Sequence, residues 1–330
     1  MPLPEFTLTV RSAAAAATAC GVVLLAGNTT VEFLAKNLRE RVVSDSVELN
    51  RRHAAKQGTP TMGGLLIVFA LTISCLIWAD LKSAPVRIGL PATLAMMFLG
   101  AADDFSKAKL QKKGVSGKLR LIIEAVCAIV CGIAIAEHSS ISLPSAWAEI
   151  AWIAFVLVGS MNAVNLTDGL DGLAAGCSVV SATVLAIICL SCANAARISP
   201  EICRLGPQSA EFSIVSASLA GAMLGFLQFN RHPARLFMGD TGALPAGFIL
   251  GFAAIVSGRE FLYAFVGGVF VLETVSVIAQ VAWYKKTRNR LLLCSPLHNH
   301  FVFRGVAERK IVGSFWILAL VLGLTGLAMR

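Results

Sequence analysis

Apolar and polar positions in this chain segregate into long blocks. Ten apolar runs lie near residues 9–30, 63–79, 86–102, 119–136, 146–163, 172–193, 211–229, 242–257, 261–283 and 312–329. Crossing a hydrocarbon core of about 30 Å takes about 20 mostly apolar residues, because a backbone without water must satisfy its hydrogen bonds inside the helix. The pattern therefore predicts an all-α integral membrane protein with about ten transmembrane helices, a single polytopic domain over residues 1–330. The eighth and ninth runs are the least separated: only Gly258, Arg259 and Glu260 stand between them. Glu273 interrupts the ninth, and a helix break there is one reading. An acid at that depth faces a cavity or a partner.

Composition agrees with the pattern. Hydrophobic residues make up 56% of the chain and charged residues 14%, with a mean hydropathy of +0.75, which excludes an ordinary soluble domain. The opening MPLPEFTLTV has no basic stretch, so the run after it is read as the first span and not as a cleaved leader. Nine cysteines are scattered through apolar segments. Their odd number argues against a complete disulfide framework.

Charge supplies the orientation. With the N-terminus outside, the loops after the odd-numbered spans hold 21 of the 28 Lys and Arg residues, which places those loops in the cytoplasm. The net charge of +9 is then an orientation signal that calls for no nucleic acid. The same loops suit anionic membrane lipids or phosphorylated substrates.

Five polar motifs fall in those cytoplasmic loops. They are KQGTPTMGG from Lys56, ADDFSK from Ala102, NAVNLTDGLDGLAAG from Asn162, FNRHPARLFMGDTG from Phe229 and SPLHNHF from Ser295. Asp103, Asp104, Asp168, Asp171 and Asp240 all lie at or near the membrane interface, where an ionised carboxylate needs a cation or strong donors. Mg²⁺ is the natural partner, since it takes one or two carboxylates and completes its shell with water and phosphate oxygens. His298 and His300 are candidate phosphate donors or proton carriers. A plainer reading has each aspartate capping a helix start, and the two are compatible because a helix start also offers N–H groups to phosphate. Gly169, Gly172, Gly176, Gly239 and Gly242 surround these acids and permit close backbone approach to a diphosphate. Neither a Walker A loop nor a GxGxxG turn is present, so a nucleotide-driven pump or a Rossmann enzyme is unsupported.

In content and order, TPTMGG, DDFSK, NAVNLTDGLDGLA, FNRHPARLFMGDTG and PLHNHF resemble the phospho-N-acetylmuramoyl-pentapeptide transferases. These belong to the superfamily of polyprenyl-phosphate N-acetylhexosamine-1-phosphate transferases. The resemblance runs from about Lys56 to the C-terminus. It implies transfer of phospho-N-acetylmuramoyl-pentapeptide from UDP-N-acetylmuramoyl-pentapeptide to undecaprenyl phosphate, giving lipid I and UMP. It further implies Mg²⁺ as cofactor, an active site on the cytoplasmic face of the bacterial inner membrane, a ten-helix fold and a homodimer.

Motif by motif, the resemblance makes Asp240 the Mg²⁺ ligand and Asp103 and Asp104 the pair near the lipid phosphate. Asn162, Asn165, Asp168 and Asp171 would line the nucleotide and diphosphate side. Lys56 and Thr61 would join from the first loop, Lys107 from behind the acidic pair, and Asn230 from before Asp240; His298 and His300 would close the site. Two departures stand out. The family usually has three consecutive histidines, then an aromatic residue and Glu, whereas this chain reads His298, Asn299, His300, Phe301, Val302. Ala243 follows Gly242 where Ser is common, with Thr241 as the substitute hydroxyl. His232 is a further candidate to touch substrate, and His53 is expected to be solvated.

Two other functions stay open at this stage: a sister transferase using another UDP-N-acetylhexosamine, and a transporter. Transporters place ionisable groups near the midplane, often with repeat symmetry. Here the acids gather at one face, and no internal repeat is visible.

Overall fold

The computed structural model describes residues 7–38, 56, 58–110, 114–138, 145–198 and 204–329; His53 lies outside them. The helices run in the order α1 (Leu8–Asn37), α2 (Gly64–Trp78), α3 (Ala84–Ala108), α4 (Gly117–Ala136), α5 (Ala146–Thr167) and α6 (Leu173–Ile198). A 3₁₀ turn (Gly206–Glu211) leads into α7 (Phe212–Asn230), then α8 (Asp240–Ser257), α9 (Glu260–Val266), α10 (Gly268–Thr287), α11 (Leu297–Phe303) and α12 (Glu308–Ala328). Among the described residues eight of these are long and apolar enough to cross a membrane, and α9 with α10 passes the same test as a pair bent by 84°, the geometry of a broken span or a re-entrant loop. The apolar α2 is shorter, at 15 residues, and completes the ten predicted runs.

The break in the ninth run falls at Gly267, six residues ahead of Glu273. A Cβ at Gly267 would meet the Tyr263 ring and carbonyl at 3.0–3.1 Å, so the bend packs tightly against the turn before it. Glu273 stays helical and buried, because its carboxylate finds donors on α11.

The bundle is built around α8, all of whose residues are buried and which packs against α2, α3, α5, α6, α7 and α9. Small residues allow this crowding in a membrane, where dispersion and close backbone approach replace the hydrophobic effect between helices. A Cβ on Gly100 of α3 would lie 2.2 Å from the Asp240 carbonyl oxygen, one on Gly64 of α2 would lie 2.1 Å from the Gly242 nitrogen, and one on Gly247 would lie 2.6 Å from Met161 of α5. Backbone therefore meets backbone along the N-terminal half of α8.

The other end of α8 is tied down by ions. Buried Arg204 pairs with buried Glu149 and Glu260, and its Nε donates to the Ile255 carbonyl at 3.2 Å. Ser209 donates to Val256. These bonds satisfy last-turn carbonyls that the helix cannot satisfy itself, and three charges out of water are tolerable only when paired this way.

Gly100→Val is expected to destabilise the protein by about 1–3 kcal/mol through overpacking, seen as a lower unfolding midpoint in detergent. Gly159→Ala, where an added Cβ meets nothing within 4 Å, should leave the midpoint unchanged or slightly raised.

Candidate functional site

The chain reaches α8 through Gly239, whose φ of 70° is a left-handed conformation suited to glycine. A Cβ there would also strike Asp104 Oδ2 at 2.3 Å and Thr61 Oγ1 at 2.9 Å. Gly239 gives α8 no side-chain cap. The cap comes from α3: Asp104 Oδ1 accepts from the Asp240 N–H at 3.1 Å, and Oδ2 accepts from the Thr241 N–H at 2.9 Å and the Thr241 hydroxyl at 2.5 Å. A carboxylate is the best acceptor for exposed N–H groups at the positive end of a helix dipole. Thr241, expected to stand in for the serine absent at Ala243, thus spends its hydroxyl on Asp104.

Capped in this way, α8 presents Asp240 to a cluster of donors. Its Oδ2 accepts from Arg120 at 2.8 Å and Lys107 at 3.3 Å, and its Oδ1 from the Asn165 amide at 2.5 Å. Lys107 also pairs with Asp103 one turn earlier on α3. Arg120, in the first turn of α4, serves Glu124 at 3.0 Å and Asn165 at 2.9 Å besides Asp240. Asn162 donates to Glu124 at 2.6 Å. Asn162, Asn165 and Asp168 are spaced by three at the end of α5, which aligns them along one side of the helix.

A second group gathers at the same pocket, of about 280 Å³, through Lys56 and Asp171. Asp171 accepts from Lys56 at 2.7 Å, from His232 at 3.0 Å and from the Ala234 N–H at 3.0 Å. Glu308, opening α12, accepts from the same Lys56 at 2.6 Å and from the Asp171 N–H at 2.8 Å. Asn230 clamps this wall by accepting from the Gly172 N–H at 3.0 Å and donating to the Leu236 carbonyl at 2.9 Å.

The structure thus gathers most of the predicted residues. Lys56, Asp104, Lys107, Asn165, Asp168, Asp171, Asn230 and Asp240 all line one pocket, with Asn299. Asp103 and Asn162 stand behind it, on Lys107 and Arg120. Thr61 is buried against Gly239, and its hydroxyl has no partner among the described residues. The two histidines part company, because SPLHNHF folds as α11 and residues two apart on a helix face different ways. His298 is buried; its N–H and Nδ1 both meet Glu273, each at 3.1 Å, and its Nε2 lies against Gly169 of the pocket wall. His300 faces away and accepts from the Leu293 N–H at 3.2 Å.

Arg120, Glu124 and Glu308 are the members that sequence reasoning missed. Glu124 carried a usable signal: it is an acid inside the fourth apolar run, four residues after an arginine, the i,i+4 spacing of a helical pair.

The residues present fit a hard divalent cation. Carboxylate oxygens of Asp103, Asp104 and Asp240 lie within 4.8 Å of one another, and the buried Asp103 Oδ2 is held by the Lys107 ammonium 2.5 Å away. Fully ionised, Asp103, Asp104, Asp240 and Glu124 exceed Lys107 and Arg120 by two negative charges, which one divalent ion would balance. Oxygen donors beside a phosphate-sized pocket suit Mg²⁺ better than softer metals. Asp171, His232 and Glu308 also lie within reach of one another, but the Lys56 ammonium already bridges their carboxylates.

Comparison with known proteins gives consistent matches. Residues 86–258 match the family model for glycosyl transferase family 4, and residues 56–68 match signature 1 of phospho-N-acetylmuramoyl-pentapeptide-transferase. Similar curated proteins include the phospho-N-acetylmuramoyl-pentapeptide-transferases of Syntrophus aciditrophicus, 39% identical over 97% of this chain and 93% of that protein, and of Methylacidiphilum infernorum, with the same identity and coverage. The one from Granulibacter bethesdensis is 40% identical over the same shares.

Asp104→Asn is expected to lower the unfolding midpoint in detergent by an amount worth about 1–2 kcal/mol. Thr241→Val, which removes one of the three capping bonds, should cost about 1 kcal/mol or less. An unchanged midpoint in Asp104→Asn would show that α8 does not need this cap.

Proposed function

The chain belongs to the phospho-N-acetylmuramoyl-pentapeptide-transferase family, within glycosyl transferase family 4, and from that premise we propose how its pocket performs the reaction. The enzyme makes lipid I for peptidoglycan synthesis, moving phospho-N-acetylmuramoyl-pentapeptide from its UDP carrier to undecaprenyl phosphate with release of UMP. The observation that carries the site assignment is the cluster of Asp103, Asp104 and Asp240 with Lys107 and Arg120, at the mouth of a pocket walled by Asn165, Asp168 and Gly169.

Attack of one phosphate on another is opposed by charge repulsion, so catalysis is mostly positioning and neutralisation. Lys107 and Arg120 supply fixed positive charge where the two phosphates meet. Asn165, Asp168 and the close-approach backbone at Gly169 grip the diphosphate end. Asp171, already engaged by Lys56, His232 and Ala234, holds the shape of the uridine-side wall. His298, fixed by Glu273, offers its Nε2 from behind Gly169. Bound Mg²⁺, held by Asp240 with Asp103 beside it, would neutralise the charge on the diphosphate oxygens.

Direct in-line attack fits this arrangement better than a phospho-aspartate intermediate. Asp104 is committed to capping α8, Asp103 Oδ1 accepts from the Val115 N–H at 2.6 Å while its Oδ2 is paired with the Lys107 ammonium, and Asp240 has acceptor bonds on both oxygens. Asp103 orients the lipid phosphate and need not act as a strong base, because a phosphate monoester with a second pKa of about 6 is already largely ionised near neutral pH. The muramoyl-pentapeptide substrate is preferred over another UDP-N-acetylhexosamine because both signature 1 and the curated relatives belong to that branch. The basic loops on the site-bearing side support a pocket facing the cytoplasm at the bacterial inner membrane. The whole chain acts as one domain, and the homodimer is carried over from the family resemblance.

The test is UMP release by purified protein with Mg²⁺, UDP-N-acetylmuramoyl-pentapeptide and undecaprenyl phosphate. Wild type should turn over. Asp240→Asn should lose roughly a hundredfold or more, on the scale of removing one preorganised electrostatic group. Omitting the lipid should abolish release altogether; one equivalent of UMP per enzyme without lipid would overturn direct attack. Arg120→Lys keeps the charge but not the fork that reaches Asp240, Glu124 and Asn165 together, and kcat should fall by about tenfold or more.

A further inference from the structure

Five basic side chains, Lys285, Lys286, Arg288, Arg290 and Arg304, gather at the end of α10 and around α11 without a role in the reaction. All five are exposed. The sequence holds no Asp or Glu from Thr274 to Ala307, and the ion pairs among the described residues involve none of the five. So much uncompensated charge on one surface calls for a partner of opposite sign.

The depth of this surface follows from α10. The helix leaves α9 at 84° and exposes Leu272, Val275, Ile278 and Val281, an exterior that belongs in hydrocarbon. Trp283 and Tyr284 follow, both close to half exposed, and such residues settle at the level of the lipid headgroups. The basic residues come next in the chain, so they lie in the headgroup layer.

The segment after α10 is folded back into a fixed shape. Gln280 Oε1 accepts from the Leu291 and Leu292 N–H groups at 3.1 and 2.8 Å, and Arg290 donates to the Leu293 carbonyl at 3.3 Å. The fold-back makes two adjoining basins. One, of about 330 Å³, is lined by Arg290, His300 and Arg304 with Leu291–Leu293 and Phe303; the other lies beside Tyr284, Lys285 and Arg288. Arg290 borders both. The Leu293 N–H can only donate, so the His300 Nδ1 it meets must accept, and in the neutral ring the remaining proton sits on Nε2 as a free donor. Leu291 and Leu293, both about half exposed, provide an apolar rim.

We propose that this fold-back binds the phosphate of an anionic phospholipid, at a site distinct from the Asp240 pocket. Arg290 and Arg304 supply charge-assisted donors to the phosphate, and the leucine rim takes the first methylenes of the acyl chains. A zwitterionic headgroup would bring its own cation into a field of five others, so the site selects net negative lipids. Because α10 also carries Glu273, which holds His298, an occupied site braces the helix on which that histidine depends.

The experiment is native mass spectrometry of the full-length protein, released from detergent after incubation with phosphatidylglycerol or phosphatidylcholine. Wild type is expected to retain phosphatidylglycerol in preference. Arg304→Gln, whose lost side chain makes no hydrogen bond within the described residues, and the Arg290→Gln, Arg304→Gln double variant should lose apparent affinity by about fivefold for each arginine removed. A Lys82→Gln, Arg87→Gln variant at the opposite end of the bundle should bind as wild type does. Equal retention of the two lipids, or unchanged phosphatidylglycerol binding in the double variant, would overturn the proposal. So would displacement of phosphatidylglycerol by an equal concentration of undecaprenyl phosphate, because the basin would then belong to the lipid substrate.

Discussion

The start of α8 is the constraint on which this structure depends. A helix that begins buried inside the protein leaves its first N–H groups without intrahelical partners, and they need an acceptor from elsewhere in the fold. Asp104 resolves this from a neighbouring helix by accepting from Asp240 and Thr241. The arrangement requires α3 to approach within backbone contact, which Gly100 permits, and requires Gly239 to turn with positive φ beneath the incoming carboxylate. Once these are in place, Asp240 can only point toward Lys107, Arg120 and Asn165. Asp240 thus needs the cap through its backbone N–H and carries, in its side chain, the carboxylate proposed for the chemistry.

Charge balance distinguishes the two acid clusters that share the pocket. Around Asp171 and Glu308 the Lys56 ammonium bridges the two carboxylates, which leaves an excess of one negative charge against two around Asp240, and the His232 ring and the Ala234 and Asp171 N–H groups add neutral donors, so that wall serves as a frame. Around Asp240 the acids outnumber the cations, and a buried excess of negative charge is costly unless a cation is recruited. The difference supports the proposal in which one wall shapes the site and the other takes the metal and the diphosphate. At the far end of α8, Arg204 with Glu149 and Glu260 shows the same helix anchored by a charge set that is closed on itself.

Much of this was legible in the sequence. The spans were visible because hydrocarbon demands long apolar runs, and the common face of the five motifs followed from counting spans between them. Asp103, Asp104, Asp168, Asp171 and Asp240 stood out because acids beside apolar runs need a reason. Their division of labour was not legible: that Asp104 caps a helix, and that Asp171 is already engaged, depends on which helices touch. Arg120 was hidden because it lies just inside the start of α4 and reads equally well as a loop charge serving orientation. In a loop, SPLHNHF could bring His298 and His300 to the same site; as α11, the segment turns the two to different sides. The bend before α10 fell at Gly267 and not at Glu273, since a buried acid with donors in reach does not break a helix.

The central claim is that the acids at the start of α8, and not those around Lys56, form the cation site. Mn²⁺ titration of the detergent-solubilised protein, followed by the loss of the free-ion electron paramagnetic resonance signal, tests it without reference to turnover. One ion per chain should bind to wild type and to Asp171→Asn and be lost in Asp240→Asn. Binding that survives in Asp240→Asn, or that disappears in Asp171→Asn, would contradict the account.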